Sequence, residues 1–270
     1  MIAYALTKKG VAEDERPDFA KRVRRNEGTS RMIAAVGPGR QPEGFSGEAA
    51  LKLRSLIAAY GVDAPFLKIY SGDNTAFAIM DGDAVLCGDS DEARLFLTMD
   101  PSVRRVRTDE HNARLLAAMW ETEAVCGNVM TPGCAMTADA AVTAITPREY
   151  WPVIETVFGN TLPPFDAWYA DVSHRWRHGL CRLMGIYENG KVVAVAMTTA
   201  EDDSAMLIGA VATLPPYRGK GYAGRLVTTL AAFGQAEGKT VWLSPKNERA
   251  EALYARLGFI PAGRYGQVTR

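Results

Sequence analysis

The sequence lacks any apolar run of the roughly 18 residues that a membrane-spanning helix needs. Its first ten residues place the lysines after the apolar stretch, which is not the layout of a secretory signal peptide. It has only four cysteines and no Cys-x-x-Cys spacing, so neither a zinc site nor a redox pair is predicted. The 31 basic and 31 acidic residues give a net charge of zero, unlike a nucleic-acid-binding surface. We therefore expect a cytoplasmic protein with no metal, membrane or nucleic-acid partner.

The 270 residues are 47% hydrophobic and 23% charged, a composition typical of one large or two ordinary globular domains. Small and turn-forming residues at 126–140 predict a boundary between domains 1–137 and 138–270. The first domain has the pattern of a small α+β unit. Its charged segment 14–28 predicts a helix with a solvated basic face, and the Gly- and Pro-rich segment 37–44 predicts a loop.

The second domain alternates strands and helices, which predicts a mixed α/β sheet covered by helices. A helix is expected to start at Pro147, with Pro152 kinking or restarting it. The pair Asn189-Gly190 predicts a tight β-hairpin. The last strand is expected at 259–265.

The segment that carries chemistry follows the predicted strand 205–213 and two prolines, and it begins a helix. The first turn of a helix has backbone N–H groups without partners and an electropositive end. Glycines let a ligand approach that backbone closely, so a pyrophosphate cradle is predicted. The alternative is a glycine-rich helix start with no ligand. The segment comprises Arg218, Gly219, Lys220, Gly221, Tyr222, Ala223 and Gly224.

The same glycines also match Gly-x-Gly-x-x-Gly, the fingerprint of dinucleotide-binding proteins. Two prolines separate the strand from the first glycine, where that fold needs a tight turn, and only two short strands follow. A nicotinamide-dependent oxidoreductase is therefore the weaker interpretation. A Walker phosphate loop does not fit, because no Gly-Lys-Ser/Thr sequence occurs here.

Two motifs in the second half resemble the GNAT acetyltransferase superfamily. The run 218–223 fits the family's phosphate motif, [Q/R]-x-x-G-x-[G/A]. The later pattern N-x-x-A-x-x-x-Y-x-x-x-G-F is matched at every position, and the resemblance covers about residues 138–270. The first half is similar in pattern to the degenerate, non-CoA-binding half of two-domain relatives such as glycine N-acyltransferases. The second motif comprises Asn247, Ala250, Tyr254, Gly258 and Phe259.

The resemblance implies a GNAT-like fold and acetyl-CoA, or another acyl-CoA, as the donor. Its pantetheine arm would pair with the end of strand 205–213, at Val211, Ala212 and Thr213, with its pyrophosphate on 218–224. A freed backbone N–H would then polarise the thioester carbonyl. Tyr254 matches the general acid that protonates the leaving thiolate, although it also fits the apolar face of a helix. Asn247 would contact the donor arm, or simply cap its helix.

The general base has no firm position, because strand 205–213 contains no acidic residue. Asp171, His174 and His178 have the spacing of one helix face, and either histidine is a candidate base. The same spacing allows a metal site, although a polar surface cluster is the favoured interpretation. The aromatic side chains nearby would form an acceptor wall or part of the core. These are Trp168, Tyr169 and Trp176.

The function that we predict is direct transfer of an acetyl or short acyl group from CoA to a primary amine of a small molecule or peptide. The alternative is a CoA-binding regulatory or structural module without catalysis. The first domain would shape the acceptor site or support the fold. A homodimer is left open, as is a sheet whose final strand is missing or comes from another segment.

Overall fold

The computed structural model describes residues 33–36 and 42–270, all within one compact unit, Ile33–Arg270. The helix predicted at 14–28 and most of the loop predicted at 37–44 lie outside the described residues. Within the described residues, twelve strands form one mixed sheet with the order β1-β2-β3-β4-β5-β12-β6-β11-β10-β9-β8-β7. They are β1 (Ala34–Ala35), β2 (Leu67–Gly72), β3 (Thr75–Met80), β4 (Asp83–Gly88), β5 (Arg105–Asp109), β6 (Ala124–Pro132), β7 (Val142–Ala144), β8 (Leu183–Glu188), β9 (Lys191–Glu201), β10 (Ala205–Thr213), β11 (Thr240–Leu243) and β12 (Phe259–Thr269).

Seven α-helices flank this sheet in the described part of the chain, which also contains short 3₁₀ turns at Gly159–Thr161 and Pro215–Tyr217. In the described residues, none of the helices is both long and apolar enough to cross a membrane. The helices are α1 (Gly47–Tyr60), α2 (Asp91–Met99), α3 (Glu110–Met119), α4 (Pro147–Phe158), α5 (Phe165–Arg177), α6 (Tyr222–Ala236) and α7 (Glu248–Arg256).

Local sequence signals explain where several elements begin and turn. Thr146 and Glu149 form a capping box at the start of α4, with Pro147 at its first position. The helix continues through Pro152, so the prediction of a restart there was wrong. Asn189 and Gly190 both have positive φ, 52° and 75°, which gives β8 and β9 the tight turn expected of Asn-Gly.

Alternate residues of β9 and β10 pack against different helices, which places those helices on opposite faces of the sheet. Ala196 and Ile208 pack with the apolar side of α6. Val195 and Ala212 pack with α4 and α5. Leu207 packs against α1. The sheet therefore has α6 and α7 on one side of β10 and β11, and α1 on the other.

Strand β6 completes the sheet between β11 and β12. It pairs with β12 from Phe259↔Pro132 to Val268↔Ala124, and with β11 at Leu243↔Met130. Residues 124–132 precede the predicted boundary at 137, so the sheet is completed by a segment from the first half of the chain. The first seven residues of the turn-forming segment 126–140 belong to this strand, and their conformation is set by pairing with β12. The division into domains 1–137 and 138–270 stays a prediction.

Candidate functional site

Strands β10 and β11 separate halfway along β10. They pair in parallel only from Ala205↔Thr240 to Ile208↔Leu243, where β11 ends. Strand β10 runs on to Thr213 paired with β9, across a bulge between Gly209 and Ala212. In the described structure, no strand therefore pairs with the β11 side of this part of β10. Backbone groups on that side are available to a ligand in extended conformation.

The bulge has an unusual backbone that is held by a buried tyrosine. Ala210 has φ 47°, a left-handed conformation that costs a residue with a Cβ about 1 kcal/mol. The hydroxyl of Tyr150, on α4, donates a hydrogen bond of 2.6 Å to the Ala210 carbonyl. Burial raises the pKa of Tyr150 well above its ordinary value, which keeps this donor protonated. Because C=O and N–H of a trans peptide are antiparallel, the Val211 N–H points away from Tyr150.

The glycine-rich segment forms the start of α6. Gly219 and Gly221 have φ of 83° and 79°, and a Cβ on either would meet nothing within 4 Å, so conformation and not space calls for glycine there. Gly221 is the N-cap and supplies no side-chain hydrogen bond, which leaves the first N–H groups of α6 to other partners. A Cβ on Gly224 would meet the Leu257 side chain at 3.3 Å, so this glycine allows close approach of α6 to the end of α7.

The two cations of this segment, Arg218 and Lys220, have different partners. Arg218 donates through Nε to the Thr213 carbonyl at 3.2 Å and lies beside the end of β10. Lys220 Nζ lies 2.8 Å from the Glu188 carboxylate, to which the Tyr222 hydroxyl also donates. The hydrogen bond from Lys220, followed by that from Tyr222, lowers the pKa of Glu188.

A cavity of about 510 Å³ joins these features. Every residue of the predicted site lines it except Lys220, which is held by Glu188. Sequence reasoning missed Arg249 and Arg256, which are seven residues apart on α7 and so share one face; that spacing was the available signal. The predicted residues in the lining are Val211, Ala212, Thr213, Arg218, Gly219, Gly221, Tyr222, Ala223, Gly224, Asn247 and Tyr254; Val157, Tyr217, Arg249, Ala250, Leu253 and Arg256 also line it.

Tyr254 and Asn247 reach this cavity from α7. Tyr254 is 8% exposed, and burial raises the pKa of its phenol, so it is protonated at neutral pH. Among the described residues, none is hydrogen-bonded to its hydroxyl. The Asn247 side chain accepts a 2.9 Å hydrogen bond from the Ala250 N–H and so caps α7. Asn247 thus caps its helix and also lines the cavity, and its contact with the donor arm stays a prediction.

The candidate bases on α5 lie away from the cavity. His174 Nε2 is 2.7 Å from the Ala59 carbonyl of α1, and His178 Nδ1 is 2.8 Å from the His174 carbonyl. Asp171 pairs with Arg175 at 2.6 Å and accepts from the Tyr60 hydroxyl. His174 and Asp171 thereby hold α5 against α1. In the described residues no cluster of side chains suited to a metal ion is found.

The predicted acceptor-wall aromatics are divided between core and surface. Trp168 is buried and stacks on Tyr150 with ring centroids 5.9 Å apart. Tyr169 packs partly against the same core, whereas Trp176 is 39% exposed. Trp168 therefore supports the tyrosine that holds the bulge, and none of the three lines the cavity.

Comparison with known proteins identifies the second half of the chain. Residues 148–259 match the family model described as Acetyltransferase (GNAT) family. No curated protein matches the sequence. Since the match covers β8 to β11, the glycine-rich start of α6 and Tyr254, it includes every residue that lines the described cavity.

Solved structures share the fold at low identity. A GCN5-related N-acetyltransferase from Kribbella flavida has TM-score 0.57 and 18% identity, over 82% of this chain and 93% of that one. A GCN5-related N-acetyltransferase-like protein from Streptococcus suis 89/1591 has TM-score 0.52 and 16% identity, over 83% of this chain and 100% of that one. A tandem GNAT protein from the clavulanic acid biosynthesis pathway has TM-score 0.52 and 15% identity, over 87% of this chain and 90% of that one.

These matches confirm the mixed α/β, GNAT-like fold and the family resemblance expected from the two motifs. Residues 148–259 of this chain match a GNAT acetyltransferase domain, and the sheet that contains them continues into the first half of the chain.

Proposed function

We propose that the chain transfers an acetyl or other short acyl group from acyl-CoA to a primary amine, with both substrates bound together. One observation carries the proposal: the open side of β10, the uncapped start of α6 and the Tyr254 phenol all line one cavity. Family membership adds the reaction class. The amine belongs to a small molecule or a peptide, and a cytoplasmic location with no nucleic-acid or membrane partner remains part of the proposal.

The residues at the cavity suit the donor's chemical groups. A pyrophosphate fits the first N–H groups of α6, where the helix dipole favours negative charge. The pantetheine amides fit the β11 side of the backbone from Gly209 to Thr213, where no described strand pairs with β10 and backbone groups can donate and accept. Arg249 and Arg256 add positive charge for the donor's remaining phosphate. Lys220 could join them only by leaving Glu188.

The chemistry follows from the positions of Val211 and Tyr254. The Val211 N–H, turned away from Tyr150, would donate to the thioester oxygen as negative charge develops there. The amine nitrogen forms a bond to the carbonyl carbon, and the C–S bond breaks. Tyr254 gives its proton to the leaving sulfur, while the amine proton passes to solvent, since no base lines the cavity in the described structure. The phenolate is then reprotonated from water.

A thermal-shift experiment with acetyl-CoA, CoA and NADH tests the donor. A ligand at about 100 times its dissociation constant adds about 2.7 kcal/mol to the free energy of unfolding. We expect a shift with acetyl-CoA and CoA only, followed by release of free thiol when amines are added. A shift with NADH alone would contradict the proposal. Binding of CoA without turnover against a broad amine panel would favour the regulatory module.

Two glycines provide a matched pair of variants for this experiment. Gly221 and Gly238 have similar φ, 79° and 72°, and a Cβ on either meets nothing within 4 Å. Replacing each with alanine should therefore impose similar backbone strain, about 1 kcal/mol. Of these two glycines, Gly221 lines the cavity and Gly238 does not. Gly221→Ala should weaken acetyl-CoA binding strongly, whereas Gly238→Ala should leave it unchanged.

A further inference from the structure

The side of the sheet opposite α6 carries charged residues next to the end of β11. Glu48, on α1, is buried and accepts hydrogen bonds from Arg107 at 2.6 and 3.0 Å. Its carboxylate also lies 4.0 Å from Lys52 Nζ and accepts from the Ser244 hydroxyl. Because Ser244 directly follows β11, this carboxylate joins α1 to the point where β10 and β11 part.

A second set of contacts brings Lys246 to the same place. The Arg107 guanidinium lies 4.2 Å from the centroid of the Tyr265 ring. The Tyr265 hydroxyl donates to the Pro245 carbonyl at 3.0 Å, and Lys246 is the next residue. We call Lys52, Arg107 and Lys246 the basic cluster. It adjoins the donor cavity, because Asn247, which follows Lys246, lines that cavity.

The basic cluster has more positive charge than its one carboxylate balances. Among the described residues, Glu48 is the one ion-pair partner of Lys52 and of Arg107, and Lys246 has no acidic partner. Lys52 and Arg107 have only 23% and 17% of their side chains exposed. Excess like charge at partly buried positions is unfavourable unless an anion balances it. Burial, followed by the neighbouring cations, lowers the pKa of Lys52 to about 8.

The donor's phosphates do not account for this charge. Their proposed position is the start of α6, which packs against the Ile208 face of β10, whereas α1 packs against the Leu207 face. A separate cavity of about 160 Å³ beside the cluster is lined by Glu48, Asp109 and Arg264 among others, and by none of the three cluster cations. An anion balancing the cluster would therefore bind at the cations themselves and not in that cavity.

We propose that the basic cluster binds a carboxylate or phosphate group of the acceptor, so that the amine substrate is a small acid-bearing amine. This inference rests on the proposed function. The donor would enter from the α6 side of the parting and the acceptor from the α1 side. The first half of the chain, which supplies Lys52 and Arg107, would then determine acceptor specificity. The anionic group offsets the excess charge and fixes the amine's orientation.

Matched pairs of amines test the proposal. They are glycine and glycinamide, 4-aminobutyrate and 4-aminobutanamide, and O-phosphoethanolamine and ethanolamine. Each pair keeps the amine and removes the anion, and the last pair distinguishes phosphate from carboxylate. Two readouts are used: thermal shift of the chain without donor, and thiol release with acetyl-CoA present. We expect at least one acid to exceed its uncharged partner in kcat/KM by about tenfold or more.

Substitutions then assign that preference to the basic cluster. Lys246→Met, at an exposed position, should reduce the preference about tenfold without preventing folding. Lys52→Met should act in the same direction. Lys191→Met, on the exposed β8–β9 hairpin, removes an equal charge elsewhere and should change nothing.

The outcomes separate this inference from the proposed function. If acetyl-CoA binds but acids and uncharged partners react and stabilise equally, the anion site is wrong and the acyltransferase proposal stands. If a preference exists but survives Lys246→Met and Lys52→Met, the assignment to the basic cluster is overturned. If no donor binds but acids stabilise the chain and Lys246→Met abolishes the effect, the proposed function is wrong and the anion site alone stands.

Discussion

Replacing Lys52 with methionine should stabilise the chain at neutral pH, although it removes a charge that we assign to substrate binding. Lys52 is 23% exposed, and its nearest carboxylate, Glu48 at 4.0 Å, already accepts from Arg107 and Ser244. Burial, together with the cations Arg107, Arg175 and Lys246, lowers its pKa from 10.5 to about 8. Its charged form is therefore less favourable in the folded chain than in the unfolded chain.

The magnitude follows from that pKa difference. A difference of about 2.5 pKa units corresponds to about 3 kcal/mol at pH 7, which is below both pKa values. The attraction of Glu48, 4.0 Å away, is already contained in that pKa difference. Methionine keeps most of the lysine stem in place. Lys52→Met should then gain about 3 kcal/mol, which raises Tm by about 6–12 °C in a chain of this size.

The stability gain of Lys52→Met should decrease as the pH rises. Between pH 8 and 10.5 the unfolded chain binds the Lys52 proton and the folded chain has lost it, so the stability of the natural chain rises with pH. The advantage of Lys52→Met should therefore fall, from about 3 kcal/mol at pH 7 to about 1.4 kcal/mol at pH 9.5. Urea unfolding at both pH values measures it.

Two control variants separate charge from shape. Lys52→Arg keeps a charge that cannot be lost, so it should give no gain at pH 7. Lys191→Met should leave the free energy of unfolding unchanged, since that lysine is exposed. A Lys52→Met chain that is less stable than the natural chain at pH 7, or a gain independent of pH, would refute the reasoning.

Two further predictions concern the cavity. Tyr254→Phe should lower kcat about 100-fold or more while acetyl-CoA affinity is unchanged, because only the proton donor is removed. Thiol release measures kcat and thermal shift measures acetyl-CoA affinity. An unchanged kcat would exclude the acid role. Tyr150→Phe leaves the Ala210 carbonyl without its 2.6 Å partner and should cost about 1–3 kcal/mol of stability. Its kcat should fall more than acetyl-CoA affinity, unlike the control Tyr187→Phe, whose exposed hydroxyl donates to Glu149; equal effects of the two variants would count against positioning of the bulge.

The family fold could be predicted from the second half because its signals are local. Glycines at the start of α6, the Asn-Gly turn and the spacing of Asn247, Ala250 and Tyr254 each act within a few residues. The position of β6 could not be predicted in this way. Its burial alternates only weakly, and its place is fixed by pairing with β12, more than 120 residues later. Pairing over such distances leaves no periodic signal in either segment alone.

The candidate site likewise has a part that local motifs predict and a part that depends on distant segments. Most of the cavity wall comes from two short stretches of sequence, 211–224 and 247–256, so motifs predict it. The basic cluster draws Lys52, Arg107 and Lys246 from three distant segments, and none of these positions belongs to a motif. Tyr150 was likewise invisible, since a buried tyrosine looks like core until its hydroxyl is seen on the Ala210 carbonyl.

Strand β6 leads to a prediction about the two halves of the chain. A fragment of residues 138–270 lacks β6, which fills the gap between β11 and β12 in the described sheet. The facing edges of both strands would lose their hydrogen-bonding partners, and the buried Met130 would be absent from the core of the second half. Exposed strand edges favour aggregation, so this fragment should not unfold cooperatively as a monomer.

A fragment of residues 121–270 restores β6 and is the matched control. It should recover strand content by circular dichroism and bind acetyl-CoA, because every residue lining the donor cavity lies after 138. It should not prefer acids over amides, because Lys52 and Arg107 are absent. A folded, monomeric 138–270 fragment would show that β6 is dispensable. A 121–270 fragment with full acid preference would instead remove α1 and β5 from acceptor recognition. The two fragments thus test separately what the first half gives to the sheet and what it gives to the substrate.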